Sequence, residues 1–135
     1  MMDFARIRGC IFALHLCLTF MGAAFLFEVL DGGSPITPEL YGARVYEVDA
    51  WIWAAIQVGG CGFAAIGAIS GSRFGAVAVV LGSLCAACMF AFFAAMSREA
   101  PNGTLAFYGS ALLTLPLCTV SGISALNHLL WGGDD

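Results

Sequence analysis

Four long apolar stretches occupy most of this chain, and no other feature limits its fold as strongly. Ile11–Val29, Trp51–Ile69, Ala76–Met96 and Leu105–Trp131 contain one acid, Glu28, and no Lys or Arg. All five basic residues are arginines, and Arg6, Arg8, Arg44, Arg73 and Arg98 lie between or outside the stretches. A helix needs roughly 20 apolar residues to cross the hydrocarbon core of a bilayer, and each stretch is of that order. Only 10% of the residues are charged, against about a quarter in soluble domains. Such a chain has too little charge to cover a water-facing surface. The runs are continuous, whereas a membrane-spanning strand alternates apolar and polar residues. The expected fold is therefore all-α: a four-helix transmembrane bundle, one domain over residues 1–135, with spans about 7–30, 50–70, 74–96 and 104–131.

Arg6 and Arg8 before an apolar run, with Gly22-Ala23-Ala24 inside it, imitate a signal peptide. The run continues to Leu30, beyond the roughly 7–15 residues of a signal core, so a retained first span is expected. Four spans place both termini on one side. Arg6, Arg8 and Arg73 then share that side, with Arg44 and Arg98 opposite. The positive-inside rule makes both termini cytoplasmic.

The first outer connection, Asp31–Ala50, is the longest. Thr37-Pro38-Glu39 reads as a helix start: a capping hydroxyl, proline in the first turn and an acid beside it. Tyr41, Val45, Val48 and Ile52 then recur at helical spacing, which predicts a short helix lying in the outer interface. Asp49 can cap span 2, and Trp51 and Trp53 fall at headgroup level. Within span 2, Gly60, Ala64 and Ala68 form a small-residue stripe, and span 3 repeats the habit at Gly82, Ala86, Ala87, Ala91 and Ala94/Ala95. Such stripes let helix backbones approach closely, within one chain or between copies. The six cysteines all lie in or at the edge of spans and read as small packing residues, Cys85-Ala-Ala-Cys88 included.

Polar residues inside the spans are the candidates for function. Ser110, Thr114, Cys118, Ser121, Ser124 and His128 recur at helical spacing along span 4, as a packing face or the lining of a wet path. Pro116 interrupts that span and frees the carbonyl of Leu112. His15 and His128 are the only histidines. Two axial histidines on neighbouring spans can hold a haem, but their depths differ by about 7 Å at 1.5 Å per residue. A neutral His15 bonded to a hydroxyl such as Thr19 fits better, and an intramembrane ionisable group also suits a proton relay. Glu28 reads as an interfacial acid facing water, with pairing to Arg44 or Arg98 geometrically open, and Gln57 as an interhelical hydrogen bonder.

The sequence carries no nucleotide loop, metal-ligand cluster or recognisable nucleophile–base motif, so no catalytic residue and no cofactor is expected. A net charge of −4 without a basic run excludes nucleic acid as a partner and leaves the lipid bilayer, copies of the chain or another membrane protein.

Ser34-Pro35 and Tyr41 in the outer connection, Trp51 and Trp53 opening span 2, and Gly71-Ser72-Arg73-Phe74 in the central turn carry a resemblance. In that order they resemble small four-span membrane proteins of tailed bacteriophages and prophages, over the first half of the chain. The resemblance implies a bacterial inner membrane and permits a holin-like lysis role; it supplies no site residues. Three functional expectations follow. The leading one is a non-enzymatic bundle acting by helix packing and oligomerisation. The others are a channel or transporter along the span 4 stripe, and a haem-binding subunit through His15 and His128.

Overall fold

The structure is a computed structural model and describes residues 4–33, 48–98, 100–104 and 108–132. Helix α1 runs Phe4–Leu30, α2 Ala50–Ser70 and α3 Arg73–Ser97. A π-helical turn, Gly109–Thr114, continues directly into α4, Leu115–Trp131. Among the described residues, four helices are long and apolar enough to cross a membrane, the last counted from Leu112. The chain is an all-α, multi-pass membrane protein. The expected interfacial helix and Arg44 lie outside the described residues.

The short α2–α3 connection forces those helices into an antiparallel pair. Gly71 closes α2 with φ of 63°, a left-handed conformation that glycine adopts without strain. Ser72 then caps α3, its hydroxyl accepting from the Gly75 N–H at 3.0 Å. At the start of α2, Asp49 holds the cap position through its backbone alone. Its carbonyl accepts from the Ile52 N–H at 2.9 Å, and its side chain makes no cap bond.

The α2–α3 contact is a close approach of two backbones. A side chain on Gly67 would run into the carbonyl of Gly75 and come to 2.7 Å of Ala78 Cβ. One on Gly82 would strike the Gly60 carbonyl and come to 2.8 Å of Ala64 Cβ. Gly60 and Ala64 of span 2 therefore meet Gly82 of span 3 within one chain, while Ala91 of the span 3 stripe stays exposed. This answers a question the spacing left open, because a stripe does not name the helix that fills it.

The outer helices are added to this pair, α1 against α2 and α4 against α3. Gly22 lets α1 settle on α2, where an added Cβ would meet Val58 Cγ2 at 3.0 Å. Gly122 does the same for α4, facing Ser83 Cβ at 3.3 Å. At the terminal end α1 reaches α4, where Phe4 stacks on His128 with ring centroids 5.1 Å apart. Leu18, Cys61, Met89, Phe90, Phe93 and Cys118 fill the half of the core away from the chain termini, and Phe4, Ile11, Ala68, Val79 and Ala125 the terminal half.

Pro116 shapes the fourth span. It has no N–H to give Leu112, and its ring crowds that carbonyl. The backbone answers with wider bonds just upstream: the Leu115 N–H donates to the Ser110 carbonyl, and the Thr114 hydroxyl to the Gly109 carbonyl at 2.7 Å. The expected kink thus takes the form of a π turn, a known accommodation inside helices.

Candidate functional site

The most concentrated polar chemistry in the bundle is at His15, which is fully buried on α1. Its Nδ1 lies 2.9 Å from the carbonyl of Ile11, one turn back. A carbonyl only accepts, so Nδ1 carries a proton. In the neutral ring Nε2 is then an acceptor, and Ser83 Oγ on α3 sits 3.0 Å away to donate to it. Ser83 is 1% exposed. The pair spans the bundle from α1 to α3 and ties together helices that otherwise meet little.

The expected partner of His15 was Thr19, and that expectation is corrected. Thr19 Oγ1 donates at 2.7 Å to the backbone carbonyl of His15, not to its ring. A threonine one turn along a helix reaches the free lone pair of the carbonyl behind it more easily than a side chain pointing into the core. Ser83 was not among the sequence candidates. One signal could have found it: between Arg73 and Ser97 it is the only hydroxyl on span 3.

A serine hydroxyl donating to an imidazole that is oriented by a third group has the geometry of a nucleophile and its base. No local motif marks it, because the two residues are 68 positions apart. Its surroundings favour a clamp over a reacting centre. Both side chains are sealed, and the pair lies near the middle of two spans, away from water and from the ester groups of lipids.

A second tie lies one turn outward. Gln57 on α2 is 3% exposed and donates from Nε2 to the Leu18 carbonyl on α1 at 2.8 Å. That carbonyl belongs to a helix, and its second lone pair is open to a side chain. Gly22 supplies the room for Gln57 to come this close. Among the described residues no buried side-chain nitrogen or oxygen lacks a hydrogen-bond partner. Interhelical bonds in membranes average about 0.6 kcal/mol and reach about 1.7, so the two ties act more as register pins than as the main source of stability.

The span 4 residues divide. Ser110, Cys118, Ser121 and Ser124 are buried, while Thr114 is half-buried and bonds within the π turn. Ser121 donates to its own helix at the Leu117 carbonyl, 2.8 Å away. Beside them an apolar groove of about 260 Å³ opens between α3 and α4, walled by Val80, Leu84, Ala87, Ile123 and Leu126. This is a packed face with an oily flank.

His15 does not suit a haem, because both ring nitrogens are already bonded and the ring is walled in. His128 is half-buried under the ring of Phe4. Among the described residues, no three His, Cys, Asp or Glu side chains cluster to hold a metal ion. Cys61 and Cys118 pack in the core and Cys85 Sγ lies against Gly60 of α2, whereas Cys10, Cys17 and Cys88 are exposed.

The tryptophans also separate. Trp51 is half exposed at the helix start. Trp53 turns onto α3, stacked on Phe92 at 5.4 Å and edge-on to Phe93 at 5.1 Å. Glu28 is exposed in the last turn of α1, where its carbonyl accepts from the Gly33 N–H at 2.9 Å.

The chain matches no family model, no curated protein and no solved structure.

Proposed function

We propose that this protein is a non-enzymatic, phage- or prophage-encoded bundle of the bacterial inner membrane. It acts by associating with copies of itself or another membrane protein, in a holin-like role. The observation that carries this reading is the uneven cover of the four spans. Half of the apolar window of α3 is buried, against 22% in α1 and 17% in the fourth span.

Gly60, Ala64 and Gly82 are engaged between α2 and α3, so contacts with a partner fall to the perimeter. On α1 that perimeter presents Phe20, Met21 and Phe27; on the fourth span it presents Leu113, Leu117 and Ile123 beside the α3–α4 groove. Association there proceeds by van der Waals packing, since lipid is as apolar as the helices. The burial of Ser110, Ser121 and Ser124 favours packing over a wet path through a single copy. The arginine distribution supports cytoplasmic termini.

Induced expression in a bacterium tests the reading. The expected result is loss of membrane potential, followed by growth arrest, with a potential-sensitive dye as readout. Unchanged potential and growth, with the protein shown to accumulate in the membrane, would sink the holin-like role.

A further inference from the structure

The sequence has no polybasic run, yet the fold draws distant arginines to one corner of the bundle. Arg8 of α1 extends to the α2–α3 turn, where its guanidinium lies so close over Gly71 that any side chain there would collide with it. Arg73 opens α3 two residues later, and Arg6 lies at the same end of α1. All three are exposed. The described acids, Glu28, Asp31 and Asp49, all belong to the opposite end of the bundle. Two large apolar side chains share the arginine end: Phe74, 88% exposed beside Arg73, and Trp131, 76% exposed at the close of α4.

We propose that the Arg8–Arg73 corner is a binding site for the headgroup phosphate of an anionic phospholipid. The depth decides the occupant. Both arginines sit at span ends, where headgroup phosphates lie, and Phe74 begins the apolar surface along which an acyl chain would run. Guanidinium groups bind phosphate oxygens through paired, charge-assisted hydrogen bonds. Each guanidinium carries five donors, and Arg73 also makes other contacts. Near an anionic surface each basic residue contributes about 1 kcal/mol, a preference on the order of fivefold.

Native mass spectrometry of the full-length protein, released from micelles holding equal phosphatidylglycerol and phosphatidylcholine, tests the site. The wild type is expected to retain phosphatidylglycerol several-fold over phosphatidylcholine. The Arg8→Gln/Arg73→Gln variant should bring the ratio close to one. Arg98→Gln, at the other end of the bundle, should leave it unchanged, and Arg8→Lys should keep part of it. A ratio that survives the double substitution, or falls equally with Arg98→Gln, overturns the proposal. Thermal unfolding in nanodiscs guards against a folding defect. Loss of only the stabilisation that phosphatidylglycerol adds supports the site. An equal loss in pure phosphatidylcholine means that Arg8 serves only the end of α2, and also overturns it.

Discussion

Gly82→Val is expected to destroy the native bundle. The new side chain would occupy the space of the Gly60 carbonyl and crowd Ala64 Cβ and Ala64 N at 2.8 and 2.9 Å. All three obstacles are backbone or Cβ atoms, so no rotamer change relieves them. Ordinary overpacking costs about 1–3 kcal/mol, and this substitution should exceed that range because two helix backbones must separate. Parting α2 from α3 also removes the platform on which α1 and α4 rest. Gly59→Val is the control: a side chain there meets nothing within 4 Å, and its effect should stay within about 0.5 kcal/mol. Unfolding of both variants in mild detergent, followed by helicity and by protease sensitivity, separates them. Equal stabilities would show that α2 and α3 do not approach as described.

His15→Leu and Ser83→Ala should each destabilise the protein, and the double variant should recover much of the loss. Either single change leaves a buried polar atom without its partner, Ser83 Oγ in one case and His15 Nε2 in the other. Such orphans cost about 1–3 kcal/mol. Ser83 can regain part of this by bonding back to its own helix, so Ser83→Ala should be the more costly of the two per atom removed. Replacing both partners removes both orphans, and paired apolar replacement is often close to neutral. A double-mutant cycle measured by reversible unfolding reads the coupling directly. Strict additivity of the single effects would mean that the two side chains do not interact.

Much of this arrangement was legible in the order of residues. The spans followed from the separation of arginines from apolar runs, because a charge in hydrocarbon is too costly to place at random. The boundaries near residues 30, 50, 70 and 97 followed from turn and cap residues such as Gly71 and Ser72. Pro116 announced a distortion, although its upstream π turn depended on which carbonyls could find new donors. The stripe on span 4 was visible as a pattern, but its phase shifts at that turn, which separates half-buried Thr114 from buried Ser110 and Cys118. The His15–Ser83 tie was not legible, and Thr19 stood in its place as the expected partner. Helical periodicity reports which residues share a face of one helix and says nothing of which side chain of another helix arrives there.

By itself, the sequence determined that this protein is helical, with segments long and apolar enough to cross a membrane, and that its arginines lie outside those segments. Those features follow from the solvent, since the bilayer demands satisfied backbones and uncharged surfaces from each segment separately. Only the tertiary structure decided that Gly60 and Ala64 meet Gly82 within one chain. The same holds for the pairing of His15 with Ser83 and the convergence of Arg8 on the turn that carries Arg73. Each of these depends on how one helix is rotated and set in depth against another. Lipid exerts almost no apolar preference between such arrangements, so packing and a few hydrogen bonds must choose.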